Sequence, residues 1–527
     1  MKAGPSGKIW HGAVTMAPLL ALCGCLVGPN FTQPAVKLAP QYSTPGGAQT
    51  NAAANAIWWH NFNDPILDQL IQMGYQNNLS LQVAGLRVLQ ARAQLAAAVG
   101  ELYPQQQVIT GGYEYERQSR DSPSNIGGSE TYLNVAQLGF SASWEIDFWG
   151  KYRRAVQAND AAFLGSIQAY DAALVSLTSS IAQSYITIRT LQAQIAVAQS
   201  NISVQNESLR IATVQYNAGQ TSQLDVTQAQ TQLGITQASL PALQAQLDAQ
   251  QDALAVLLGT TPDAVPPLIA GGNGIPQAPT TVAVGLPKDL LRQRPDVVQA
   301  ELAAASQSAE LGVAKAQLYP ALSLSGTFGF ESSNAPGASL GNLFQWANRT
   351  VSIGPSLQIP IFNYGQLTNQ VRAQDAVFEQ SIISYQNTVL QAQQEVQDAI
   401  NNLAEAQNTV TALDQATQSA IQSTKLAMIR YVDGQSDYTT VLSAEQAQLQ
   451  VQNSLAEAQG NVPLSLVSLY AALGGGWQIA QNNDVVPANI EADMRARTNW
   501  GGLLQPAAHA APTSNSAQVK QTYVPTW

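Results

Sequence analysis

Side chains able to do acid–base, nucleophilic or metal chemistry are scarce in this sequence of 527 residues, and that scarcity constrains its function first. The histidines are His11, His60 and His509, widely separated, and the cysteines are Cys23 and Cys25. Zinc cages, thiolate–imidazole pairs and serine–histidine relays need several such residues to converge. The raw material is missing, so neither a metal centre nor a nucleophilic enzyme is expected. Glycoside hydrolysis would instead need two acids facing each other across a cleft. Glu114 and Glu116 are a candidate pair, but they stand two apart on one strand face with no aromatic cleft around them. With 23 basic against 34 acidic residues the net charge is -11. That repels a phosphate backbone, so no nucleic-acid partner is expected. Charged residues are 11% and apolar residues 45%, too apolar a balance for a disordered chain.

One cysteine does have chemistry to do. Lys2 and Lys8 precede an apolar stretch from Ala13 to Leu22, the charged and apolar regions of a secretory leader. It ends Leu22-Cys23-Gly24-Cys25, which resembles a bacterial lipobox with a small residue before the acylated cysteine. Cys25 is the better acceptor, because cleavage before Cys23 would put bulky Leu22 next to the cut. Removing residues 1–24 takes away the two leader lysines, leaving 21 basic against 34 acidic residues, net -13. The mature chain then keeps a single cysteine, at its new N-terminus, and cannot form an internal disulfide. Diacylglycerol and palmitoyl groups on Cys25 are expected, with no other cofactor. Beyond the leader no apolar run reaches the length of a spanning helix, so any membrane crossing must be made by β-strands.

The elements that must position this anchor come in two copies. Leu102-Tyr103-Pro104 recurs as Leu318-Tyr319-Pro320, Gly150 as Gly365, Tyr216-Asn217-Ala218-Gly219-Gln220 as Tyr431-Val432-Asp433-Gly434-Gln435, and Leu258-Gly259 as Leu473-Gly474. One order at one spacing marks an internal repeat. In the first copy Leu174, Ile181, Ile188, Ile195, Ile202, Leu209 and Tyr216 fall at steps of seven, the mark of a supercoiled helix with a packing seam. The second copy carries Val389, Val396, Leu403 and Val410, with Ala392, Ala399, Ala406, Ala420 and Ala427 beside them. No proline interrupts Gly150 to Tyr216, so that helix should be roughly 100 Å long. Turns at Gly219–Ser222 and Gly434–Asp437 reverse each long helix into a returning one, and Pro241 should kink the first return.

Between the shorter and longer helices the period changes to two. Leu138, Phe140, Ala142, Trp144, Ile146 and Phe148 alternate with Gln137, Gly139, Ser141, Ser143, Glu145 and Asp147, and the second copy alternates likewise on either side of its loop. Apolar on one side and polar on the other is the pattern of outer-membrane strands. Two hairpins give only four strands, fewer than the roughly eight a closed membrane barrel needs. Three chains would give twelve strands and an open lumen. Glu145, Asp147 and Glu331 would then face the bore and favour cations weakly. The fold class expected is therefore an α+β membrane protein of two internal repeats. It forms a homotrimeric 12-stranded outer-membrane β-barrel, four strands per chain, continuous with a long periplasmic α-helical coiled-coil barrel. Its parts are a signal peptide (1–24); a lipid-anchored segment (25–63); repeat 1 (64–270: a helix, hairpin 105–148, long helix 150–216, return helix 222–258); a linker (271–286); repeat 2 (287–474: a helix, hairpin 320–362, long helix 365–432, return helix 437–473); and a tail (475–527) expected to wrap the helical barrel or to be partly disordered.

The residues that follow Cys25 (Leu26-Val27-Gly28-Pro29-Asn30-Phe31), the segments Trp58–Ile71 and Leu290–Glu301 with Arg294-Pro295-Asp296 at its centre, and the two helix turns resemble the outer membrane factor family. This is the TolC-like family, and the likeness is to its lipoprotein branch, over residues 25 to about 480. The resemblance implies the exit duct of a tripartite efflux pump in the bacterial outer membrane, closed at its periplasmic tip. A periplasmic membrane-fusion adaptor and an inner-membrane pump of RND or MFS type are the implied partners, beside outer-membrane lipid. It assigns adaptor docking to Gly219, Gln220, Thr221, Ser222, Gly434, Gln435 and Ser436, and a periplasmic gate to Asp225 and Tyr431. Many relatives carry an aspartate where this chain has Ser443, so that acidic ring is not carried over, and Glu445 is the candidate substitute. A coiled-coil surface lipoprotein would also use heptads and export, but it needs neither the paired strands nor the turns. The outer-membrane component of a type I-like secretion system shares the outline.

Overall fold

The computed structural model describes residues 26–36, 56–118, 131–272, 274–278, 294–335, 337–481 and 483–504. Cys25 and its leader, the loop of the first hairpin and the tail beyond 504 lie outside the described residues.

The first repeat opens with α1 (Pro65–Asn77), capped by Asp64, whose carboxylate accepts from the Ile66 and Leu67 amides at 2.9 and 3.3 Å. One helix is expected here and two are found. Asn78 leaves the helical region (φ -62°, ψ 120°) and caps α2 (Leu79–Gly100), accepting from the Leu81 amide at 2.8 Å. Strands β1 (Gln106–Gln118) and β2 (Thr131–Ile146) follow, then α3 (Lys151–Asn217), α4 (Gln223–Leu258), through which the helix continues past Pro241, and the short α5 (Val265–Ile269). The second repeat has α6 (Pro295–Ala316), β3 (Ala321–Ser333), β4 (Arg349–Gln358), α7 (Gln366–Val432) and α8 (Tyr438–Ala472), with Pro463 inside the last. Each long helix has 67 residues, about 100 Å of rise. No described helix is long and apolar enough to cross a membrane.

The strands form one antiparallel sheet in the order β1-β2-β3-β4. Its register lines up Ile109, Phe140, Phe328 and Val351 across all four strands, and Ile146, Leu322 and Leu357 across three. Residues directly opposite share a face, so the alternation seen along each strand becomes one continuous apolar surface, on which Ile109 and Ile353 are 74% and 77% exposed. The opposite face lines up Ser141, Thr327 and Ser352, then Glu145, Ser323 and Ser356. Among the described residues β1 and β4 each pair on one side only.

The main core lies where the short helices meet the long ones. Trp58 is fully buried and stacks on Tyr470 with ring centroids 5.4 Å apart, among Leu174, Ile181, Tyr185 and Ile188 of α3 and Leu466 and Val467 of α8. Arg294, buried at the start of α6, donates to the Ala472 carbonyl at 2.8 Å and to Asp296 and Glu395 at 2.7 Å, tying three helices together. The seven-residue stripe of α3 is core only in its upper half. Beyond Leu191 the positions buried within the chain are Ala198, Asn201, Gln205, Ser208 and Ala212, while Ile202 is half-buried and Tyr216 exposed. The described part of the tail packs Val486, Met494 and Leu504 on Leu89 of α2, and Arg92 donates to the Leu503 carbonyl at 2.8 Å.

Candidate functional site

The helix ends that sequence reading singles out are built alike. At the first, the Gln220 amide bonds back to the Gln215 carbonyl at 2.9 Å and Gly219 takes φ 71°. At the second, the Gln435 amide bonds to the Arg430 carbonyl at 2.8 Å and Gly434 takes φ 68°. This is the six-to-one closure that a left-handed glycine allows at a helix C-terminus. Ser222 then caps α4, accepting from the Leu224 amide at 3.2 Å.

Between the turns the chain brings Asp225 and Tyr431 together. The Tyr431 hydroxyl donates to Asp225 Oδ2 at 3.1 Å, and the Thr221 hydroxyl donates to the same oxygen. The turn of the first repeat is thereby fastened to the end of α7, and Gln215 adds weak bonds to the Tyr431 and Val432 carbonyls at 3.4 Å. Burial holds the Tyr431 phenol above its ordinary range, and the Asp225 charge acts in the same direction, so it stays a donor at neutral pH. Tyr438 packs edge-on to Tyr431 with centroids 5.3 Å apart. Leu209, Ala212, Ala229, Ala427 and Val441 close a small apolar cluster around the two rings.

The expected docking residues separate into two groups. Gly219, Gln220, Ser222, Gly434 and Gln435 are exposed. Thr221 is engaged on Asp225, and the Ser436 hydroxyl is buried with no hydrogen-bond partner. Ser443 bonds back to the Thr439 carbonyl at 2.9 Å, within its own helix. Glu445 does not replace an acidic ring at that level: it is 2% exposed, packed between α3 and α8, where Ser208 donates to it. A stack of polar pairs missed by the apolar periodicity surrounds it. Asn201 donates to Gln452 at 2.6 Å, and Gln205 and Gln448 are both buried. The spacing of Asn201, Gln205 and Ser208 against Glu445, Gln448 and Gln452 is helical on both strands of sequence and would have located this stack.

Two other acids also change role. Glu145 takes Lys151 at 3.1 Å and the Tyr152 hydroxyl at 3.0 Å, and Asp147 takes Arg153 at 3.1 Å and the amides of Tyr152 and Arg153 at 3.2 and 2.9 Å. They are not free bore acids but the brace between β2 and α3, because a strand entering a helix must satisfy the first orphan amides. Glu331 remains exposed on the polar sheet face. The same joint holds the segment that follows Cys25. The Val27 amide bonds to the Trp149 carbonyl at 3.1 Å, and buried Arg154 reaches the carbonyls of Val27 and Gly28 at 3.1 and 3.2 Å and Asn30 at 2.9 Å. A Cβ on Gly28 would stand 2.5 Å from the Gly312 backbone, so only glycine fits. Among the described residues no group of acids, histidines or cysteines could hold a metal ion.

The profile of the outer membrane efflux protein family matches residues 70–260 and 286–475. Nodulation protein T of Rhizobium leguminosarum bv. trifolii is 30% identical over 460 residues, 87% of this chain and 96% of that protein. The pyoverdine export outer membrane protein OpmQ of Pseudomonas putida is 31% identical over 458 residues, 85% of this chain and 94% of that protein. Among solved structures, the outer-membrane channel OprN superposes with a TM-score of 0.78 at 29% identity, covering 86% of this chain and 100% of that one.

Proposed function

Because the chain belongs to the outer membrane efflux protein family, we propose that three copies of it assemble into a single exit duct whose helical tip is held shut by the bond between Tyr431 and Asp225. The protein is an outer-membrane efflux channel of a tripartite pump, sited in the outer membrane and extending into the periplasm. The observation that carries the trimer is the sheet. Four strands with an apolar face and two unpaired edges cannot stand alone in a bilayer, where every backbone group must be bonded. Three copies joined edge to edge make twelve strands, with the apolar face to lipid and the serine-rich face to water.

The anchor supports the same orientation. Val27, two residues after Cys25, is fixed at the end of β2 where strand becomes helix. Acyl chains on Cys25 would enter the leaflet that the strands are leaving. The exposed turns at Gly219–Gln220 and Gly434–Gln435 lie at the opposite end of helices about 100 Å long, well placed for a periplasmic adaptor and the inner-membrane pump behind it. Cargo is selected by that pump.

Detergent extraction of the outer membrane tests the assembly. The expected product is a heat-modifiable species with the mass of three chains, each N-terminal peptide carrying acyl groups on Cys25. A monodisperse single chain that stays in aqueous buffer would refute it.

A further inference from the structure

The apolar packing between α3 and α8 is broken at one level. Above it lies the main core, which ends on α3 near Leu191 and Ile195. Below it lies the tip cluster, which begins on α3 at Leu209 and on α8 reaches up to Ala444. Between the two, the side chains buried on α3 after Ala198 are Asn201, Gln205 and Ser208, and those buried on α8 before Ala456 and beyond the tip cluster are Glu445 and Gln448. The tip is thus joined to the body by a polar belt rather than by a continuous core.

Glu445 is the acid of that belt. One of its oxygens accepts from Ser208, and the other is buried with no hydrogen-bond partner. No described ion pair includes it. From α3, Glu207 and Arg210 lie exposed and pair with each other at 2.6 Å. From α7, Lys425 and Arg430 are exposed, and the group turned inward is Tyr431. From α4, Gln232 bonds to Gln446 at 3.0 Å, and Asp225 is occupied by Tyr431 and Thr221. On α8 itself Tyr438 lies two turns below, its hydroxyl buried without a partner. Every titratable group facing Glu445 is therefore a phenol or another acid. An ionised carboxylate there has no cation to offset its lost hydration, and such a group takes up a proton instead.

We propose that Glu445 is a proton-bearing pin between α3 and α8, holding the tip shut while uncharged and releasing it when its carboxyl ionises. Burial raises the Glu445 carboxyl above the ordinary glutamate range, and the Ser208 bond opposes that rise. The folded form therefore favours the proton. The pin's contribution is complete at pH below the ordinary glutamate value and is lost as pH climbs through the raised one. The proposal rests on the tip being the closed end of the duct.

The full-length trimer in planar bilayers tests it, with open probability followed from buffer below the ordinary glutamate range up to mildly alkaline. Wild type should open severalfold more often as pH rises, and Glu445→Gln should stay closed and flat. Ser208→Ala should move the midpoint to higher pH, because it removes a bond that favours the ionised form; a purely structural role for the belt would leave the midpoint in place. Asp225→Ala serves as the reference, conducting at every pH. If Asp225→Ala never conducts, the closed-tip reading itself fails. If it conducts while Glu445→Gln follows the wild-type profile, or the wild-type profile is flat, the pin is overturned. Should Glu445→Gln fail to assemble, an unmoved midpoint in Ser208→Ala overturns it alone.

Discussion

A phenol 3.1 Å from a carboxylate that also takes a threonine hydroxyl is a bond a docking partner can break. Hydrogen bonds to charged groups contribute about 1.5–3 kcal/mol, enough to hold one helix end yet small beside a protein interface. Tyr431→Phe should therefore raise single-channel conductance modestly, since Thr221 still holds Asp225. Asp225→Ala should raise it more, because both bonds are lost. Unchanged conductance in both variants would reject the latch. Sequence alone, through family likeness, paired Asp225 with Tyr431, but it set Thr221 among the docking residues. The partner of a turn hydroxyl depends on backbone geometry that residue types do not encode. Glu445 shows the same limit: it stands two residues beyond Ser443, about 200° around the helix, and that this side of α8 is covered is learned only from its packing against α3.

At the scale of elements, hydrophobic period tells which residues want burial but not what buries them. Steps of seven along α3 anticipated a long helix, and Leu174, Ile181 and Ile188 do lie in the core. Ile202 and Tyr216 follow the same rhythm but are only half-buried and exposed, respectively, within the chain. The break of the first short helix at Asn78 was legible only as a capping residue among apolar ones. In the strands, alternation named the two faces but not the pairing, and the faces alone forecast opposite results at neighbouring positions. Phe328 lies mid-strand on the apolar face beside Phe140 and Val351, so Phe328→Arg should cost about 2–4 kcal/mol in the bilayer and block insertion. Thr327→Arg, on the polar face, should insert normally and shift ion selectivity toward anions. Outer-membrane fractionation and reversal-potential measurements read the two outcomes, and equal insertion of both would contradict the assigned faces.

For the whole molecule, the duplication explains how one chain builds a wall, but the copies are not equivalent where strand meets helix. The first joint is braced by Glu145 with Lys151, Asp147 with Arg153, and the Arg154 grip on the segment after Cys25. The second has none of this. Residues 359–371 contain no charged side chain. There Tyr364 and Gly365 both take left-handed angles, φ 48° and 81°, and Tyr364 is fully exposed. A chain so built has one stiff joint and one yielding joint. Strain reaching the sheet through the long helices should be taken up at Tyr364 and not at the braced joint, because Arg294 and the core hold α7 against its neighbours below it. Spin labels placed across each joint in Asp225→Ala should separate only at the second, and equal displacement at both would mean that the subunit turns as one rigid stave.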